Sequence, residues 1–166
     1  ELGRYVRPNP MRQNQWFSGF LAEGVLDTGK TQTAALIRET KKRMNAYAVQ
    51  IWDGPPGTSC PALETVKGAD RIWIVAEHSP FGVHDLKLLL SALKDHAAPK
   101  EVILNKSEED HEPLLSVCRD FGVPLIARLP FSEEAARKHA RGEAFWHLQE
   151  FRPVFLDLLK KLEENL

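Results

Sequence analysis

The sequence predicts a three-layer α/β fold on a mostly parallel sheet. Three observations carry that prediction: short apolar runs alternate with stretches of helical period, the links between them are brief, and the runs end on polar or Gly/Pro turns. The strand-like runs are Ala48–Trp52, Asp70–Ala76, Glu101–Asn105 and Val123–Leu129. At 166 residues the chain suits one domain, 1–166, with a core of ordinary size, and no internal linker or repeat divides it.

Taken in order, Glu1 to Gln15 is rich in Arg, Asn and Pro without a helical period, which predicts an irregular lead-in or an edge hairpin. Trp16 to Ala22 reads as a strand. From Thr31 to Met44, Ala34, Ala35, Leu36 and Ile37 stand against Arg38, Lys41, Lys42 and Arg43, the pattern of an amphipathic helix. Ala48–Trp52 then runs into Asp53 and a rigid Gly54-Pro-Pro-Gly57 turn, and Pro61 to Lys67 reads as a short helix. Leu86, Leu89, Leu90 and Leu93 predict a helix over His84–His96. Another is predicted over Glu112–Phe121, closed by Gly122 and followed by Pro124. Ser132 is the expected N-cap of a helix with Glu133 and Glu134 in its first turn, where the dipole favours acids. Phe151 to Leu162 closes the fold.

Bulk composition narrows the function by exclusion. A net charge of −1 gives no basic face for nucleic acid and no acidic tail. No apolar run approaches the ~20 residues that span a bilayer, and no signal peptide is visible. The stripe Phe155, Leu158, Leu159, Leu162 and Leu166 reads as a core-packing helix rather than a membrane anchor, because Lys160 and Lys161 are offset by Glu163 and Glu164. The two cysteines, Cys60 and Cys118, form no CxxC and cannot between them hold an iron–sulfur cluster. A reducing cytoplasm is the expected location. The first residue is Glu1 rather than Met, which points to residues missing upstream.

Asp53 is the leading candidate for chemistry. An acid at the end of a buried strand, followed by a Gly/Pro loop that fixes backbone N–H groups, suits a phosphate with its Mg²⁺, which needs one or two carboxylates plus water and phosphate oxygens. The plain alternative is an aspartate capping a turn. The segments Trp52-Asp-Gly-Pro-Pro-Gly-Thr-Ser-Cys-Pro61, Val75-Ala-Glu-His-Ser-Pro-Phe-Gly-Val-His-Asp-Leu-Lys87, Leu104-Asn-Lys106 and Arg128-Leu-Pro-Phe131 resemble, in order and spacing, the MinD/ParA/Mrp superfamily of deviant P-loop ATPases. The likeness is to the C-terminal portion of the branch with an inserted ferredoxin domain, grouped with cobyrinic acid a,c-diamide synthase-like nucleotide-binding domains. That resemblance implies a P-loop NTPase sheet, incomplete on its N-terminal side. It makes Asp53 the Walker B acid that holds Mg²⁺ directly or through water, and Gly54, Pro55, Pro56 and Gly57 the switch loop that senses the γ-phosphate. It further implies that Asn105 faces the adenine and that Pro130 and Phe131 wall the base.

Gly24-Val-Leu-Asp-Thr-Gly-Lys30-Thr31 satisfies the Walker A pattern, which would bring Lys30 to the phosphates and Thr31 to Mg²⁺. Two observations count against it. The superfamily's Lys-Gly-Gly-x-x-Gly-Lys form has an earlier lysine that is missing here. Gly19 to Gly24 with Ala35 to Lys41 also resembles the family segment just before the Walker B strand, so a helix N-terminus is the expected reading. His84 and Asp85 are expected to open a helix rather than to pair with His78 as ligands, with a partner contact as the next option. Cys60 is expected to be a buried, inert thiol.

The function expected from the resemblance is binding and hydrolysis of Mg-ATP as a conformational timer. It implies a nucleotide-dependent homodimer, an unidentified client protein and a link to an iron–sulfur cluster held outside this sequence. Two alternatives stand beside it. One is a nucleotide-free interaction module or degenerate fragment that docks through Phe81 to Leu86. The other is the ATP-binding domain of a cobyrinate-type amidotransferase, which calls for a glutaminase domain.

Overall fold

The computed structural model describes residues 3–10, 20–29, 31–43 and 49–163, without the side chains of 3–10, 20 and 21. The chain forms two compact units, Glu1–Gly68 and Ala69–Leu166.

In the first unit, β1 (Gly3–Pro10) and β2 (Phe20–Leu26) make an antiparallel ribbon that runs from Gly3 opposite Leu26 to Pro10 opposite Phe20, with an irregularity between Val6 and Asn9. The N-terminal stretch thus contributes one strand of a two-stranded ribbon, and 11–15 lie outside the described residues. The predicted strand Trp16–Ala22 is displaced: its described part belongs to β2, and 16–19 lie outside the described residues. Helix α1 (Thr33–Lys42) packs on β2 and on α2 (Cys60–Val66), with Leu36 buried beneath it. Strand and helix approach closely at Gly24. A Cβ there would fall 2.5 Å from Thr40 Oγ1 and 3.0 Å from Leu36 Cγ, so any side chain would have to displace the Thr40 hydroxyl.

The expected strand Ala48–Trp52 needs correction. Ala48 lies outside the described residues, and Val49 to Trp52 is irregular chain that starts in a bend, without a strand assignment. Val49 and Ile51 are 46% and 75% exposed, whereas Gln50 and Trp52 are half-buried, so the run is not the buried strand its composition predicts. No described strand lies in register beside it. Apolar residues alone do not make a strand: a ladder has to form beside them as well.

The second unit is a parallel sheet flanked by helices. Its elements are β3 (Ile72–Glu77), α3 (Pro80–Ala92), β4 (Lys100–Asn105), α4 (Glu112–Asp120), β5 (Leu125–Leu129), α5 (Glu133–Ala140) and α6 (Arg152–Glu163). The strands lie in the order β3-β4-β5, and a parallel ladder runs from Ile72 opposite Lys100 to Glu77 opposite Asn105. Each crossover contains a helix, as parallel neighbours require. Ile72, Ile74, Ala76, Val102 and Leu104 are buried alternate residues in register, and α3 packs on β3 and against α4. Ile103 and Ala127, of opposite parity, form a core cluster with Leu158 of α6, joined by Trp73, Leu129 and Val154. The α/β class is as the sequence predicts.

Helix α3 starts at Pro80 rather than at His84. Ser79 is its N-cap, its hydroxyl accepting from the Gly82 N–H at 3.1 Å, and Pro80 occupies the first turn, where the missing N–H costs nothing. Ser132 caps α5 as expected, accepting from the Ala135 N–H at 3.2 Å.

Candidate functional site

The candidate residues fall in two groups, one in each unit. In the first, the irregular run Val49–Trp52 delivers Asp53, which is exposed, into a turn completed by Gly57 at φ +83°, a conformation that favours glycine. Pro55 and Pro56 fix the intervening backbone and are also exposed. Trp52 is half-buried. Its indole N–H donates to Gln50 Oε1 at 3.1 Å, and the Lys41 ammonium sits 3.7 Å from the ring centroid. Lys41 also donates to the carbonyls of Glu64 at 3.1 Å and Lys67 at 2.8 Å, at the end of α2. Burial pushes the Lys41 pKa down, with the Glu64 charge opposing.

Glu64 is itself buried and is paired with Lys67 at 2.9 Å and Arg38 at 3.3 Å. The hydrogen bond from Lys67 holds its carboxyl below the ordinary glutamate range. On the other side of the acid, a Cβ on Gly54 would lie 3.2 Å from Cγ2 of the buried Thr65. Thr65 Oγ1 is fixed in turn on the Pro61 carbonyl at 3.0 Å. The chain on both sides of Asp53 is thus held by α1 and α2.

An exposed carboxylate in a stiff turn fits a hard cation that draws the rest of its shell from water and phosphate oxygens. Among the described residues no group of three or more His, Cys, Asp or Glu could hold a metal by itself. The Gly24–Thr31 segment has a different layout from a phosphate loop. Gly24, Val25 and Leu26 belong to β2, a short turn follows at Asp27–Gly29, and α1 begins only at Thr33. Lys30 lies outside the described residues.

The second group lies at the carboxyl edge of the parallel sheet, where open α/β sheets bind ligands. Glu77 and Asn105 end β3 and β4 in register, and Leu129 ends β5 opposite Asn105. Lys106 follows at φ 59°, in the left-handed region uncommon for a side-chain-bearing residue, and its ammonium meets Glu77 Oε1 at 2.7 Å. The Ser107 N–H then donates to the Leu129 carbonyl at 3.0 Å, which closes the turn beside Pro130. Pro130 lines a cleft of about 240 Å³ with Ser107, Glu108, Arg128, Glu150 and Val154. Phe131 is 65% exposed. Asn105, Pro130 and Phe131 thus belong to one edge.

Other expectations change. His84 and Asp85 are exposed one turn inside α3 and do not open it, because Ser79 does. His78 lies edge-on to His111, centroids 5.7 Å apart. Cys60 is exposed rather than buried, since α2 turns Ala62, Glu64 and Thr65 inward instead. Cys118 is buried, and burial raises its thiol pKa. Sequence reasoning missed Lys41, Glu64, Glu108 and Glu150. The one available signal was the spacing of Arg38 and Lys41, which places both on one face of α1.

No known protein-family profile matches the chain. Proteins of Methanocaldococcus jannaschii are among those it resembles. One, described only as uncharacterized, is 25% identical over 142 residues, 84% of this chain and 49% of the relative. A second uncharacterized protein is 31% identical over 118 residues, 66% of this chain and 43% of the relative. A third, described as an uncharacterized ATP-binding protein, is 25% identical over 122 residues, 71% of this chain and 47% of the relative. The chain thus spans about half the length of these relatives. Fold and edge together define an α/β domain compatible with a nucleotide-binding architecture.

Proposed function

We propose that this chain supplies the metal- and base-binding parts of an Mg-ATP site of the MinD/Mrp kind. The observation that carries the proposal is the placement of Asn105 and Pro130–Phe131 at one carboxyl edge of a parallel sheet. Similarity to a protein described as ATP-binding supports the choice of nucleotide. In this reading Asp53 holds Mg²⁺ directly or through water, and Gly54, Pro55, Pro56 and Gly57 face the terminal phosphate. Asn105 offers its amide to adenine, and Pro130 and Phe131 wall the base. Bound Mg²⁺ would neutralise charge on the phosphoryl oxygens during attack by water. The protein's share is to position that charge and to change the shape of the switch loop when the phosphate leaves. A nucleotide-dependent homodimer, an unidentified client and service to an iron–sulfur protein complete the proposal. The two cysteines are not cluster ligands in it.

Calorimetric titration with ATP, with Mg²⁺ and with EDTA, tests it. Saturable, Mg²⁺-dependent binding at up to millimolar nucleotide is expected. Asp53→Ala should weaken it about tenfold or more and Asn105→Ala about fivefold, the worth of a charged and a neutral polar contact. Absence of binding at millimolar ATP overturns the proposal. That result would favour the second reading, a nucleotide-free docking module, for which the specific observation is Phe81 at 83% exposure.

A further inference from the structure

We propose that Lys41 is a positioning residue for the Asp53–Gly57 loop, acting through the ring of Trp52. The argument starts from where the ammonium sits. It has three partners at once: the Glu64 carbonyl at 3.1 Å, the Lys67 carbonyl at 2.8 Å and the face of Trp52 at 3.7 Å from the centroid. The carbonyls belong to the C-terminal end of α2, where the helix dipole attracts a cation. The aromatic face attracts the same cation through its quadrupole, and partial desolvation strengthens that attraction. Lys41 therefore joins α1, α2 and the residue directly before Asp53 with one side chain.

Surrounding groups make the arrangement stiff. The Trp52 ring is held at its other polar point by Gln50, at 3.1 Å. Arg38, one turn before Lys41, pairs with Glu64 at 3.3 Å, and Lys67 pairs with the same carboxylate at 2.9 Å, so α1 and α2 are tied together independently of Lys41. The Gly54 backbone rests against Thr65 of α2. What Lys41 alone adds is the link to Trp52. The ring contact engages the residue directly before Asp53, and through it bears on the direction in which Asp53 leaves Trp52. The consequence for metal binding rests on the reading of Asp53 as the Mg²⁺ ligand, whereas the consequence for loop geometry does not.

The test separates the two. Lys41→Met keeps the length of the side chain and removes its charge and donors; Lys41→Arg keeps both. In ¹⁵N–¹H spectra of the whole chain, Lys41→Met is expected to shift and broaden the Gly54 and Gly57 amides and the Trp52 indole signal, with Lys41→Arg restoring them. Should Lys41→Met unfold the unit, Trp52→Leu, which removes the aromatic face and leaves the carbonyl contacts, must produce the same glycine shifts. Mn²⁺, a paramagnetic stand-in for Mg²⁺, is expected to broaden signals around Asp53. Its apparent Kd should rise about threefold or more in Lys41→Met, the scale of a cation–π contact, and return in Lys41→Arg. Glycine amides unmoved by Lys41→Met and Trp52→Leu overturn the proposal. Mn²⁺ binding absent from the wild-type chain overturns the metal role of Asp53 instead, and the glycine shifts still decide the role of Lys41.

Discussion

Gly82 shows how much a single residue can set. A methyl group there would lie 2.3 Å from the carbonyl oxygen of Glu77, a backbone atom that cannot swing aside. The close approach lets the first turn of α3 fold back over the end of β3, whose Glu77 carboxylate engages Lys106. Gly82→Ala is expected to lower the unfolding free energy by about 1–3 kcal/mol, as overpacking does, measured by urea denaturation. The cysteines offer a second check at this scale. Cys60 is exposed and Cys118 buried, with burial raising the Cys118 pKa. Native protein should therefore take up one equivalent of a thiol reagent quickly and the second only on unfolding. Asp53, Asn105, Pro130 and Phe131 could be singled out as candidates because a local motif carries each. Lys41 was not, because its partners lie far along the chain and periodicity is silent about them.

At the scale of elements, helix α2 depends on one carboxylate. The Lys67 hydrogen bond, with the Lys67 and Arg38 charges adding and burial opposing, keeps Glu64 ionised in the folded state at a pH where the unfolded chain is already taking up protons. The stabilisation is complete above the free glutamate value of ~4.3 and is lost as pH falls through the lowered folded value. Glu64→Gln should flatten that acid limb in a pH series of thermal melts, and a limb left unchanged would remove Glu64 from the account. Ser132→Ala should cost about 1 kcal/mol through loss of the α5 cap, seen in the same melts. Caps also explain what was misread. The leucine spacing locates the body of α3 but not its first turn, which Ser79 and Pro80 fix by hydrogen bonding and ring geometry.

For the whole molecule, alternation of apolar runs and helical periods led to the right class, with β3-α3-β4-α4-β5 laid out as a parallel sheet. It failed at the N-terminal side for a physical reason. Periodicity records which residues are apolar and is blind to whether a run finds a hydrogen-bonding partner, or in which direction that partner runs. Hence one predicted strand falls partly within an antiparallel ribbon, and the described part of another carries no strand assignment. Where the core is concerned, α6 is fastened by Leu158 against Ile103 and Ala127. Leu158→Ala should cost about 2–5 kcal/mol, read as a lower midpoint in denaturant.

The sheet order also determines how the protein behaves in a concentrated solution. Among the described residues β3 forms a ladder on one side only, with β4, and Val75, whose side chain stands on a face of the sheet, is 61% exposed. A strand edge that stays without a ladder is a template for intermolecular β-pairing. Light scattering should rise with concentration under conditions where the fold is intact. Val75→Lys, a charge placed on the strand, should delay that onset to higher concentration without changing the melting temperature by more than a few degrees. The strand that anchors the carboxyl edge is thus also the feature that governs the colloidal behaviour of the chain.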